Sequence, residues 1–116
     1  MVLLRHDDGW VTAYAHNSSL LVKKGDKVGQ GQVIARVGNT GPSGAPHLHL
    51  QVMDGPDLLA SDGLPFVFRR FALAGDVTNL GEFLTGAAPA VLRPSPRTGV
   101  RRSELPLQSA VVRFHG

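Results

Sequence analysis

The sequence predicts an all-β fold built on antiparallel pairing, and three observations carry that expectation. Of 116 residues, 14 are glycine and 8 are proline, a turn-rich composition that suits short strands. Asp8-Gly9 separates two apolar-alternating runs, the arrangement of a tight hairpin. Leu48-His49-Leu50-Gln51-Val52 alternates as a strand with one apolar and one polar face does. With 42% hydrophobic residues, a chain of this length is globular and able to bury a core.

The elements follow in order. Val2 to His6 and Trp10 to His16 read as two strands joined by a two-residue turn at Asp8-Gly9, with both turn positions at positive φ. In the second strand Trp10, Thr12, Tyr14 and His16 fall on one face, and Val11, Ala13 and Ala15 on the other. Leu20 to Val22 is a short strand. The segment 23–32 holds three glycines, so it turns tightly twice before a strand over Val33 to Val37. A Gly-rich loop, 38–46, leads into the histidine strand, and this block closes at Met53. Beyond it the pattern loosens. Asp54 and Asp57 stand in a turn with Gly55 and Pro56, where aspartate serves the backbone. Leu64 to Leu73 alternates in part and reads as an edge strand because of Pro65. Asn79 to Gly86 suggests one or two helical turns. The segment 87–102 reads as irregular, and Val111 to Phe114 as a last short strand. The domains expected are a β core over 1–53 and an extension over 54–116. The extension packs mainly as a cover for the open sheet edge, because Leu64, Phe66, Phe68, Phe71 and Leu73 are too many apolar groups to leave in water.

Composition narrows the function classes. There is no cysteine, which excludes disulfide scaffolds and Cys-based metal sites or nucleophiles. No apolar run reaches the length of a membrane span, and the first residues do not read as a signal peptide. The net charge of +3 is uneven: residues 93–116 carry five arginines and one glutamate. Such a tail suits an anionic polymer or plain solvation. It lacks interleaved aromatics, so nucleic-acid binding is not expected.

His47-Leu48-His49 is the chemical centre of the sequence. In a strand His47, His49 and Gln51 share one face, and the two imidazoles stand roughly 7 Å apart along the backbone. At that reach both can bind one metal, or one binds while the other moves protons. A polar strand face that merely contains two histidines has the same pattern.

Several blocks in fixed order decide between these. His6, Asp8-Gly9, Thr12-Ala13-Tyr14-Ala15-His16, Val22-Lys23-Lys24-Gly25-Asp26-Lys27-Val28, Gly31-Gln32-Val33-Ile34, Val37-Gly38-Asn39-Thr40-Gly41 and Pro46-His47-Leu48-His49-Leu50 together resemble the LytM/lysostaphin-type zinc metallopeptidases. The resemblance covers just under half the chain. It implies a barrel-like antiparallel sheet, a zinc cofactor, peptidoglycan cross-bridge peptides as substrate, and a location in the cell envelope, periplasm or extracellular space. It implies that His49 is a zinc ligand, and that His16 and His47 flank the metal to activate water or stabilise the tetrahedral intermediate. It makes His6 structural and leaves His115 without a partner.

The chain departs from that pattern in one respect. The family's other two ligands, spaced HxxxD, belong upstream of Met1, and no HxxxD occurs in the sequence. A catalytic zinc takes three protein ligands and one open position, so the expectation is an incomplete domain with low activity. Its open sheet edge is covered by the extension, by a partner chain or by self-association. Two further functions compete. One is a non-catalytic cell-envelope activator of the same fold, which suits Asn17-Ser18-Ser19-Leu20-Leu21-Val22. The other is a biotinyl/lipoyl-like carrier, whose rhythm appears over Val22 to Val37 but whose tip lysine does not.

Overall fold

A computed structural model describes residues 1–95 and 98–114, so Arg97 and His115 lie outside the described residues. Antiparallel strands dominate it, as expected of an all-β chain. Two compact units are present, Met1–Pro65 and Phe66–Gly116.

The first unit contains β1 (Val2–Arg5), β2 (Val11–Ala15), β3 (Ser19–Leu20), β4 (Ala35–Arg36) and β5 (His49–Met53). β2 is the central strand of the sheet β1-β2-β5. Its alternation places Val11 and Ala13 against Met53 in the buried cluster, and Val11 stands opposite Met53. Val2 and Val52 are also buried. They pair with Tyr14 and Thr12, so apolar burial occurs on both faces of β2. Each such side chain contributes about 1.5–3 kcal/mol. β1 pairs with β2, and its other edge has no strand among the described residues.

The hairpin differs from the two-residue turn expected. Of Asp8 and Gly9 only Gly9 is left-handed, with φ +90°. The His6 N–H donates to the Trp10 carbonyl at 2.8 Å and the Gly9 N–H to the His6 carbonyl at 2.9 Å, which makes a three-residue loop. A tight turn followed by a left-handed glycine also matches strand twist, so the Asp-Gly signal located the hairpin without its loop length. β3 and β4 are shorter than the runs 20–22 and 33–37. Their pairing is extended by hydrogen bonds from Ser18 N to Arg36 O and from Leu21 N to Ile34 O, both 2.9 Å. Asp54 and Asp57 accept backbone N–H groups of Asp62 at 2.8 Å and Leu59 at 2.9 Å, the backbone role expected of them.

The second unit contains β6 (Phe68–Val77), α1 (Leu80–Leu84), β7 (Leu92–Arg93), β8 (Gly99–Glu104) and β9 (Ala110–Arg113). β6 is not an edge strand. Ala72 and Leu73 pair with both β8 and β9, and Asp76 pairs with both β7 and β9. β9 therefore takes one edge of β6, while β7 and β8 follow each other along the opposite edge. Pro65 precedes this strand, so its missing N–H removes no ladder bond. The segment 87–102 is not wholly irregular, since β7 and the start of β8 fall within it. Phe71, 2% exposed, is the buried anchor. Its ring centroid lies 6.4 Å from that of Phe68 and 6.1 Å from that of Phe114. Among the described residues no helix is long and apolar enough to cross a membrane.

Candidate functional site

The first unit brings His16, His47 and His49 together. The ring centroids of His16 and His47 are 4.7 Å apart, and those of His16 and His49 are 5.6 Å apart. The family resemblance implied that His16 and His47 stand beside His49, but not how the chain brings them there. β2 ends at Ala15, which stands opposite His49, while Tyr14 stands opposite Leu50. Directly opposed residues share a face, so Tyr14 belongs to the leucine face of β5. A continued pleat would carry His16 there too, away from His49. Instead His16 has φ +63° and leaves the pleat, which turns its ring back to the other two. A non-glycine residue in that region costs about 1–2 kcal/mol, and such strain persists where surrounding contacts over-determine it.

Those contacts are visible. The His16 Nδ1 lies 2.7 Å from the Thr40 carbonyl oxygen. The Thr40 hydroxyl donates to the Asn17 carbonyl at 3.0 Å, and the Ser18 hydroxyl donates to the Val37 carbonyl at 3.0 Å. Segments 16–18 and 36–40 are thereby clamped together, with Gly38 at the closest approach. A Cβ there would meet the Ser18 backbone nitrogen and would lie 2.7 Å from the His16 carbonyl oxygen. Asn17 is buried, and its side-chain oxygen has no partner among the described residues.

The same contacts settle which ring nitrogens carry protons. A carbonyl oxygen only accepts, so the His16 Nδ1 is the donor and its Nε2 keeps a lone pair in the neutral ring. His47 is held in the same way, its Nδ1 2.7 Å from the Ala45 carbonyl oxygen and 3.2 Å from the Ser43 hydroxyl. His47 precedes β5 and joins the fold through a single bridge to Gly38, its N–H donating at 3.1 Å. His49 differs: its Nε2 lies 3.3 Å from the Gln51 side-chain oxygen, and its Nδ1 has no hydrogen bond among the described residues. His49 and Gln51 do share the strand face expected of them. His6 bonds Thr12 through Nε2 at 2.9 Å and takes no part in the cluster.

The arrangement can accept or deliver protons at two Nε2 atoms and offer one Nδ1 to a cation. It does not form a metal cage. Among the described residues no group of three or more His, Cys, Asp or Glu can hold a metal ion, whereas a catalytic zinc requires three protein ligands. The Thr40 and Ala45 carbonyls, Ser43, Gln51 and Gly38 were assigned no role from sequence. Gly38 and Gln51 carried a weak signal, one opening a glycine-rich loop and the other sharing the histidine face. The carbonyls carried none.

Known proteins match the same part of the chain. Residues 1–60 match the model of Peptidase family M23. The chain is 48% identical over 56 residues to the cell division protein DipM of Caulobacter vibrioides, which covers 48% of this chain and 9% of that protein. It is 46% identical over 52 residues to the peptidoglycan DD-endopeptidase ShyA of Vibrio cholerae, 45% of this chain and 12% of that protein. It is 38% identical over 52 residues to the murein hydrolase activator NlpD of Escherichia coli, 45% of this chain and 14% of that protein. The chain thus spans only a small fraction of the length of these relatives. No solved structure matches it. The family model covers more than half of the sequence and includes every residue of the histidine cluster, and the chain belongs to peptidase family M23.

Proposed function

We propose that this chain carries the histidine-bearing section of a peptidoglycan-directed zinc metalloendopeptidase domain. Residues 1–53 supply the site and residues 54–116 are its C-terminal extension. His49 is one metal ligand, and His16 and His47 are the groups that move protons beside the scissile peptide. The observation that supports this reading most is the left-handed φ of +63° at His16, a strained conformation that gathers three imidazoles, two of them with tautomers set by the Thr40 and Ala45 carbonyls. The family is generally zinc-dependent. The described residues do not complete a zinc site, so no catalytic step is assigned to the metal here. Peptidoglycan peptides are the proposed partners and the cell envelope or the extracellular side the proposed place of action. A partner strand or a second copy is the proposed occupant of the β1 edge that pairs with no strand among the described residues.

A second reading, a non-catalytic activator of the same fold, draws support from the likeness to NlpD. Dye release from labelled sacculi separates the two. Slow, zinc-dependent release abolished by His16→Ala, His47→Ala and His49→Ala is the result expected of the endopeptidase reading. Release only when a murein hydrolase is added, unchanged by those substitutions, transfers the assignment to the activator. Sacculi that neither retain the chain nor release dye rule out both. In calorimetry zinc should bind weakly. Tight stoichiometric binding would reveal a ligand set other than the one described.

A further inference from the structure

The second unit holds a pocket of about 230 Å³ whose apolar wall includes Phe71, Leu73, Leu105 and Leu107. Four charged side chains also line it: Asp76, Arg93, Arg101 and Glu104. Two of these are occupied with each other. Arg101 donates to both carboxylate oxygens of Glu104, each at 2.9 Å, and this is the one ion pair among the described residues.

Asp76 and Arg93 are different. They stand directly opposite each other on β6 and β7, which puts their side chains on one face with Cα atoms about 4.5–5.5 Å apart. Among the described residues neither side chain has a hydrogen bond or an ion pair. The strand that carries Arg93 is seated by Gly75, because a Cβ at that position would run into the Arg93 carbonyl. The placement of the two charges is thus built into the backbone. Asp76 is partly buried and Arg93 is exposed. A carboxylate and a guanidinium, adjacent and unjoined beside an apolar wall, complement a ligand that has both charges and an apolar arm. The volume falls below the range of pockets for drug-sized molecules and suits a smaller one.

We propose that the second unit binds an amino-acid-sized zwitterion with an apolar side chain. The Asp76 carboxylate accepts from its ammonium group, the Arg93 guanidinium donates to its carboxylate, and its side chain lies against Phe71 and Leu73. The site shares no residue with the histidine cluster and does not rest on the peptidoglycan reading.

The test titrates the full chain, labelled for amide NMR, with leucine. Saturable shifts are expected at Leu73, Asp76 and Arg93, with a Kd of about a millimolar, the scale of so small a ligand. Leucinamide lacks the carboxylate and N-acetylleucine lacks the ammonium, and each should bind at least about tenfold more weakly. Asp76→Asn should remove the discrimination against N-acetylleucine, and Arg93→Gln the discrimination against leucinamide. Among the described residues neither side chain has a partner to lose, and an unchanged circular dichroism spectrum verifies that the variants are folded. Absence of saturable shifts overturns the proposal, as do analogues that bind as well as leucine or discrimination that survives both substitutions. Glycine binding as tightly as leucine overturns the role of the apolar wall.

Discussion

Gly38→Ala is the most direct challenge to the clamp that holds His16. The three atoms nearest the added methyl group would all be backbone, of Ser18 and His16. Backbone cannot swing aside, so segment 36–40 must move away from segment 16–18. Overpacking of this kind costs about 1–3 kcal/mol. The displacement also threatens hydrogen bonds from Ser18 N to Arg36 O at 2.9 Å, from Thr40 Oγ1 to Asn17 O at 3.0 Å and from His16 Nδ1 to Thr40 O at 2.7 Å. Loss of two of them adds about 2 kcal/mol, for a total of about 3–5 kcal/mol. That is a large part of the 5–15 kcal/mol typical of a whole domain. In urea it should lower the unfolding midpoint by about 1–5 M. Gly44→Ala is the matched control, because a Cβ there meets nothing within 4 Å and its φ is not positive. It should change stability by less than about 1 kcal/mol. Equal midpoints for the two variants would refute the clamp and, with it, the account of how His16 reaches the cluster.

Further expectations concern single residues. His16→Gly should be more stable than His16→Ala by about 1 kcal/mol in thermal unfolding, because only glycine adopts φ +63° without strain, although both lose the imidazole. Phe71→Ala should destabilise the second unit by about 3–5 kcal/mol and lower its Tm, since Phe71 is 2% exposed and in contact with Phe68 and Phe114. Glu104→Gln should cost no more than about 1 kcal/mol despite a bidentate pair at 2.9 Å, because the two side chains are 27% and 41% exposed and water screens them. A larger loss in denaturant titration would mean that the pair organises the 104–110 loop.

Local chemistry was legible in the sequence. Period-two alternation named β2 and β5, Asp8-Gly9 located the hairpin, and His47-Leu48-His49 with Tyr14-Ala15-His16 named the side chains of the histidine cluster. Each of these signals lies within a few neighbouring residues, where pleat geometry and turn chemistry act. The side of the sheet that His16 occupies was not legible. Alternation put it on the face of Tyr14, and the register, with Tyr14 opposite Leu50, puts that face away from His49. The left-handed conformation that reverses it depends on the Gly38–Thr40 segment, more than twenty residues away in the chain. The tautomers were hidden for a simpler reason. They are set by carbonyls of Thr40 and Ala45, and every residue has a carbonyl whatever its side chain. The central place of β6 was likewise a matter of partners, since β7, β8 and β9 come from a proline-interrupted stretch whose local pattern is weak. Sequence by itself determined which groups are available and the strand character of the chain. Tertiary structure decided which way His16 turns, which ring nitrogens are free, and that Asp76 meets Arg93 across β6 and β7, because each depends on backbone approach between segments distant in the chain.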